Sequence, residues 1–257
     1  MSYKHISSRD NTLFKQLKTL HGSARERRLA GKILLDGAHL AEAYFETFGL
    51  PELLVISDGD CAADVLNVLE RMVDASVVTM PPSMLGAISP VTTPTGMLAL
   101  VDTPQLPVPE DREFVLMLEN IQDPGNLGSI LRNAAAAGVD VVYLSEGCTE
   151  AWSPKALRGG QGAQFVLPIV ERVDLLDEMQ RFEGQTYAAV MHGESLYAQD
   201  LSGNTAFVIG NEGAGLSYSL IDAAGKRITI PMPGKVESLN AAAAAAICLF
   251  ERVRQTG

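Results

Sequence analysis

The 257-residue chain is predicted to be an α/β protein in two parts, and three observations predict it. Short apolar runs alternate with helix-like stretches along its length, the pattern of strands covered by helices. The segment Asp102-Thr103-Pro104-Gln105-Leu106-Pro107-Val108-Pro109-Glu110-Asp111 holds three prolines in ten residues. Such a stretch suits neither a helix nor a central strand and reads as a semi-extended linker. Finally, three glycine-bearing segments in the last 145 residues each follow a strand-like run and open into a helix-like stretch. In an open parallel sheet that junction gathers free N–H groups and helix N-termini, so three of them point to one composite site.

In the first part, residues 1–101, a helix is expected from Asp10 to Leu29, with Leu13, Leu17 and Leu20 at helical spacing. Strands are expected at 32–35, 53–56, 76–79 and 96–101, and helices at 38–48 and 62–73. Residues 102–112 form the linker. In the second part, residues 113–257, strands are expected at 114–118, 140–144, 165–169, 186–191, 206–209 and 227–230. Helices are expected at 127–137, 175–182, 217–222 and 239–254. Near-continuous apolar strands such as Val115-Leu116-Met117-Leu118 suit a sheet covered on both faces.

The composition, 47% hydrophobic, is that of a globular chain. Its N-terminus lacks the apolar run of a signal peptide, and its longest apolar run, Ala241 to Phe250, is too short to span a bilayer. A cytoplasmic protein without a membrane partner is expected. Cys61, Cys148 and Cys248 are scattered and read as reduced core thiols, and the four histidines are too dispersed for a metal cluster, so no metal is expected. Net charge is −11, which argues against coating nucleic acid. Residues 1–35 nonetheless carry eight basic and two acidic residues, a net of +6, against −17 for the remainder. That asymmetry marks a basic contact arm that includes Arg25, Arg27 and Arg28, or else a solvated helix face.

At the first junction, Asp123-Pro124-Gly125-Asn126-Leu127-Gly128-Ser129-Ile130-Leu131-Arg132, Pro124 and Gly125 break the strand and Asn126 can cap the following helix. Arg132 lies six residues on, about 9 Å along a helix axis, and helical side chains lean back toward the N-terminus. A capped helix with a surface arginine is the plainer alternative. The second junction is Gly210-Asn211-Glu212-Gly213-Ala214-Gly215-Leu216-Ser217. Its glycines alone are a weak nucleotide signal. Glu212 inside the loop repels anions but tolerates a cation or ribose hydroxyls. At the third, Pro233-Gly234-Lys235-Val236-Glu237-Ser238-Leu239-Asn240, Ser238 and Asn240 can cap a helix or bond a ligand.

In order and spacing these three segments resemble the signatures of the SpoU branch of the SPOUT methyltransferases: D-P-x-N-x-G-x-x-x-R, G-N-E-G-x-G-L-S and S-L-N. The N-terminal part is also similar to the family's substrate-binding domain. Ile33 to Leu40 stands at an "EG-x-x-L" stretch and Thr92-Thr93-Pro94-Thr95-Gly96 at "T-x-P-Q-G", with Asp36 and Thr95 departing mildly. The resemblance implies a trefoil-knotted C-terminal domain with a parallel sheet, a small ribosomal-protein-like α/β RNA-binding domain, and a homodimer. It further implies methyl transfer from S-adenosylmethionine to an RNA ribose 2′-hydroxyl, with rRNA favoured over tRNA. Carried over by position, Gly210, Ile230 and Leu239 would hold the cofactor. Arg132 would be the key catalytic residue, Asn126 would orient Arg132 or the ribose, Glu212 would fix the Arg132 guanidinium or the ribose by accepting hydrogen bonds, and Ser238 and Asn240 would complete the turn and touch substrate. Arginine holds its proton too tightly to serve as an ordinary base, so Arg132 is read as stabilising the developing alkoxide and gripping a phosphate. Lys155 to Ala163 resembles the family's "R-A-S-x-G-A" stretch, with Gly160 where serine or alanine is usual; Arg158 is read as a phosphate contact, or as part of a glycine-rich turn before the next strand. A noncatalytic RNA- or ribosome-binding protein of the same fold is the competing reading, and a nucleotide-dependent oxidoreductase or kinase is disfavoured by the missing Walker lysine.

Overall fold

The computed structural model describes residues 3–59, 61–89, 96–236 and 238–257, so Thr92 to Thr95 of the "T-x-P-Q-G" resemblance and Glu237 lie outside the described residues. The chain forms two compact units: residues 1–104 with 152–165, and 105–151 with 166–257. The division falls inside the proline-rich stretch. Residues 152–165, grouped by the sequence with the C-terminal half, are counted with the first unit.

The first unit begins with β1 (Lys4–His5), α1 (Thr12–Gly22) and α2 (Ala24–Ala30), followed by β2 (Lys32–Asp36), α3 (Ala38–Phe48), β3 (Leu53–Ser57), α4 (Ala63–Arg71), β4 (Val77–Met80), α5 (Pro82–Leu85) and β5 (Met97–Asp102). The single helix expected over 10–29 is two. Ser23 is extended, its backbone N–H closes α1 on Thr19, and its hydroxyl accepts from the Glu26 amide to cap α2. A good N-cap after glycine favours a restart over continuation. Phe14, Leu17 and Leu20 of α1 enter the core with Leu34, Val55, Leu98 and Leu100. The sheet is mixed, in the order β1-β4-β3-β5-β2, with β5 antiparallel to both neighbours.

The second unit opens with β6 (Phe114–Leu118), α6 (Pro124–Ala137) and β7 (Val141–Ser145). Next in sequence, α7 (Pro154–Gly160) and a 3₁₀ turn at Ala163–Phe165 belong to the first unit, where the Phe165 ring meets Tyr44 and Phe48 edge-on at 5.7 and 6.2 Å. The second unit resumes with β8 (Ile169–Val173), α8 (Leu175–Arg181), β9 (Gln185–Ser195), β10 (Thr205–Ile209), α9 (Tyr218–Ala223), β11 (Lys226–Thr229) and α10 (Ala241–Thr256). The strand expected at 165–169 is therefore a correction: it lies at 169–173. Pro168 has no N–H to give a ladder, and β8 is an edge strand whose residues are half-buried apart from the exposed Arg172.

The six strands are parallel, in the order β11-β9-β10-β6-β7-β8. From β6 the chain moves outward to β7 and β8; from β10 it moves the other way, to β11. The neighbours β6 and β10 thus form the switch point of the sheet, where a crevice opens beyond their carboxyl ends. The first glycine segment follows β6 and the second follows β10. The third leads into α10, which packs on α6.

Candidate functional site

The helix α6 starts three residues earlier than expected. Pro124 occupies its first turn, and the Asp123 carboxylate, rather than Asn126, caps it by accepting from the Asn126 amide at 2.8 Å. Proline suits the first helical position because its missing N–H would be unpaired there. The Asn126 side chain is thereby released for other work. Its Nδ2 donates to Glu212 Oε1 at 2.5 Å, and its Oδ1 accepts from Asn240 Nδ2 at 3.0 Å. Asn240 is the N-cap of α10, its Oδ1 accepting from the amides of Ala242 and Ala243.

These bonds fix both carboxamides. The α10 amides require the Asn240 oxygen, so its nitrogen must face Asn126. Asn126 must then offer its oxygen to Asn240 and its nitrogen to Glu212. The donors all run one way, from Asn240 through Asn126, and end on the Glu212 carboxylate. An aligned chain of this kind polarises each of its members. Residues 86 and 114 positions from Asn126 are brought to it, as the composite-site reading expects.

Beside this chain lies a cleft of about 620 Å³, within the range of small-molecule sites. Gly210, Ile230, Ser238 and Leu239 line it, together with Glu212 and the rest of the 210–216 loop; Ala189, Val190, Ile221 and Ala244 supply apolar wall. Among the described lining residues there is no lysine or arginine, and Glu212 is the lone carboxylate. Such a lining repels phosphate and suits a cation with an apolar body. Gly210 has a steric reason to be glycine, because a Cβ there would sit 2.4 Å from the Gly215 backbone. The hairpin Asn211↔Gly215 can close only over that bare position.

Arg132 stands apart from the cleft lining. It is exposed on α6, on the face opposite the buried Leu127, Ile130, Leu131 and Ala134, and it makes no ion pair among the described residues. The structure thus brings Asn126, Glu212 and Asn240 into contact and places Ser238 beside them on the cleft wall, but it does not add Arg132 to that group within one chain.

The basic segment divides. Arg25 and Arg28 are exposed on α2. Arg27 is a correction: it is 5% exposed, and its Nη1 donates to the carbonyls of Leu20 (2.5 Å) and His21 (3.0 Å) at the end of α1. Its guanidinium ties off the helix end that Ser23 breaks and is not presented to a polyanion. Burial and the nearby Arg27 charge hold His21 below the usual imidazole range, with Asp36 opposing them. Lys32, bonded to Glu52 and Asp102, is likewise committed. Arg158 is exposed on α7, a short helix where a turn was the plainer expectation. Gly160 is explained by its neighbour, since a Cβ there would lie 2.1 Å from the carboxamide of Gln164, itself fully buried.

The cysteines offer no nucleophile at this site. Burial pushes the Cys248 thiol up to about 12 and raises that of Cys148. Among the described residues no group of three or more His, Cys, Asp or Glu side chains could hold a metal ion, and no helix is long and apolar enough to cross a membrane. Three residues outside the expected set also touch this region: Glu119, Asn120 and Asn211. Their signal was position, directly after strands β6 and β10.

Comparison with known proteins places this geometry. The sequence profile described as the SpoU rRNA Methylase family matches residues 113–250. A 23S rRNA guanosine 2′-O-methyltransferase of Bacillus subtilis is 31% identical over 250 residues, spanning 96% of this chain and 98% of that protein. The SpoU methyltransferase AviRb of Streptomyces viridochromogenes, solved with AdoMet, superposes with a TM-score of 0.85 at 28% identity over 95% of this chain and 98% of that one. An RNA 2′-O ribose methyltransferase superposes at 0.86 with 26% identity, covering 98% of both chains. With its three glycine segments assembled around one cleft and a match of this extent, the chain belongs to the SpoU rRNA methylase family.

Proposed function

We propose that this protein transfers a methyl group from S-adenosylmethionine to a ribose 2′-hydroxyl of structured RNA, ribosomal rather than transfer RNA. The observation that carries the reading is the one-way hydrogen-bond chain Asn240–Asn126–Glu212 on the rim of a cleft with no basic residue among its described lining. The bound cofactor supplies a methyl carried on a positively charged sulfur, an activated electrophile. The cleft fits that group, with apolar walls for its body, a glycine loop whose backbone can approach closely, and one carboxylate for its charge.

The remaining work falls to the chain's own residues. Glu212, held by Asn126, accepts hydrogen bonds from ribose hydroxyls and keeps the acceptor nucleotide beside the cleft. Ser238 offers a further hydroxyl at the wall. Arg132 grips the phosphate next to the reacting ribose and stabilises the negative charge that builds on the attacking oxygen while the hydroxyl proton passes to solvent water, a charge-assisted contact. Its exposed place on α6 supports a homodimer in which Arg132 of one protomer serves the cleft of the other. A trefoil knot in the second unit belongs to the same reading, supported by the return of α10 onto α6 after β11. Arg25, Arg28 and Arg158, all exposed, contact RNA phosphates, and the first unit is the RNA-docking module of a cytoplasmic enzyme.

The test is calorimetric titration of the full chain with S-adenosylmethionine, joined to mapping of ribose methylation in rRNA from cells lacking the protein. Micromolar binding and the loss of one or a few rRNA 2′-O-methyl marks are expected. Intact rRNA marks together with a lost tRNA mark would move the substrate. A chain that binds RNA but no cofactor would make it a noncatalytic binder.

A further inference from the structure

The loop that lines the cleft sends a single side chain into the core. Residues 212–215 are exposed, and Leu216 is the one buried side chain between Gly210 and Ser217. Three glycines in such a loop favour many conformations. Leu216 packs into the core and Ser217 bonds the adjoining helix α9, but the loop's long-range hydrogen bonds among the described residues all come from the segment that follows β6. At the far end of the loop, the Ser217 amide donates to Glu119 Oε2 at 2.7 Å. At the near end, Asn211 Nδ2 donates to the Asn120 carbonyl at 2.9 Å, while Asn211 Oδ1 accepts from the amides of Gly213 and Ala214 at 2.8 and 3.0 Å. Between them, Asn126 holds Glu212.

Asn120 is itself held in place. Its φ of +55° lies in the left-handed region, uncommon for a residue other than glycine though tolerated by asparagine. Its N–H donates to Ser145 Oγ at 3.0 Å, and a Cβ on Gly147 would lie 1.8 Å from its Oδ1. The left-handed turn directs its carbonyl at Asn211.

We infer that Glu119 and Asn120 are positioning residues that staple the two ends of the cofactor loop, so that the strand bearing the RNA-side helix also sets the shape of the cofactor cleft. This rests on the functional reading above. It adds that cofactor affinity depends on a carboxylate outside the cleft lining, and that the loop and α6, with Arg132, are held as one unit.

Glu119→Ala removes the staple; Glu119→Gln keeps an oxygen acceptor for the Ser217 amide. Asn211→Asp keeps the Oδ1 acceptor for Gly213 and Ala214 but loses the donor to Asn120. Each full-length variant is titrated with S-adenosylmethionine, and amide exchange over 210–217 is followed without cofactor. E119A is expected to bind about tenfold more weakly and to exchange the Ser217 amide faster, N211D to bind about fivefold more weakly, and E119Q to stay within about threefold of wild type. E119A matching wild type in both readouts would overturn the inference, as would E119Q failing as badly as E119A, since charge rather than the staple would then matter. Wild-type protein that takes no cofactor would remove the functional reading, and this inference with it. If E119A does not fold, E119Q and N211D decide: N211D equal to wild type in both affinity and exchange overturns the staple.

Discussion

The cleft of the second unit and the basic helices of the first, proposed above as cofactor site and RNA surface, are built in opposite ways. On the rim of the cleft each member of one polar chain is oriented by the group before it: Asn240 by the α10 amides, Asn126 by Asn240, Glu212 by Asn126. On α1 and α2 the exposed cations Lys18, Arg25 and Arg28 stand free of such bonding among the described residues, Lys15 has only a solvent-exposed pairing with Asp10, and Arg27 is withdrawn into the structure. A small cofactor is bound by fixed geometry, where misplacement of about 1 Å is costly. A polyanion is bound by charge density, which tolerates mobile side chains. The difference teaches which substitutions will be sharp and which will be graded.

The sharpest break is expected at Arg132, which shares the exposure of the basic helices but is assigned the work of the cleft. Arg132→Ala should cut methyl transfer by about 10³-fold or more while leaving S-adenosylmethionine affinity within about twofold. Single-turnover transfer alongside calorimetry checks both halves. Substantial residual transfer would remove Arg132 from the mechanism and return it to the class of surface cations.

Asn240→Asp tests the cleft's orientation rule without touching its cap. Aspartate remains a good N-cap for α10, so stability should change by less than about 1 kcal/mol. The donor to Asn126 is lost, however. The Asn126 amide would turn its nitrogen toward the introduced carboxylate and its oxygen toward Glu212, and the chain would end in repulsion. A fall in transfer of about 10²-fold is expected, with the thermal midpoint nearly unchanged. An unaffected rate would mean that the hydrogen-bond chain is a packing device.

Within the basic helices the comparison recurs residue by residue. Arg27→Ala strands two carbonyls at the end of α1 and should destabilise the first unit by about 2–3 kcal/mol. Arg25→Ala and Arg28→Ala should change stability by less than about 0.5 kcal/mol, yet each should lower the salt dependence of RNA binding by about one ion. For the wild-type chain the logarithmic salt slope is expected to be modest, about −3 to −5, because few cations are free to meet phosphates. A slope implying ten or more phosphate contacts would show that recognition is spread well beyond α2 and Arg158.

How far the sequence reveals these features follows the same division. The alternation of strands and helices was legible because buried parallel strands are runs such as Val115 to Leu118, and because Gly138 marks the end of α6 in a left-handed turn. Clustering of the three glycine segments was legible from the topology rule that sites form at carboxyl ends of strands. The break at Ser23 was not, because it depends on one hydroxyl choosing between continuing a helix and capping the next. Nor was β8, an edge strand with weak apolar patterning. The fate of Arg27 was hidden in a run of like residues, since Arg25, Arg27 and Arg28 differ only in which face of a seven-residue helix they occupy. The staple at Glu119 was out of reach because a backbone amide 98 positions away is its partner.

The smallest expected effect lies at the far end of α10, the helix that Asn240 begins. Glu251 is held at about 2, first by the hydrogen bonds it accepts from Arg254, then by the one it accepts from Gln255. Gln255 also bonds the 199–201 segment, so the carboxylate anchors the helix end to the loop before β10. A carboxyl depressed in the folded state contributes stability that is full above its unfolded pKa, about 4.3, and fades as pH falls toward about 2. Urea unfolding between about pH 5 and pH 2.5 should therefore lose stability on the acid side, and Glu251→Gln should flatten part of that slope. Arg254 is exposed, which keeps the contribution small. Because α10 carries the cap that orients the cleft at one end and this ion pair at the other, acid should loosen the helix from its C-terminus first. Asn240 should hold the cleft until the unit unfolds, and amide exchange along α10 at about pH 3 would reveal the gradient.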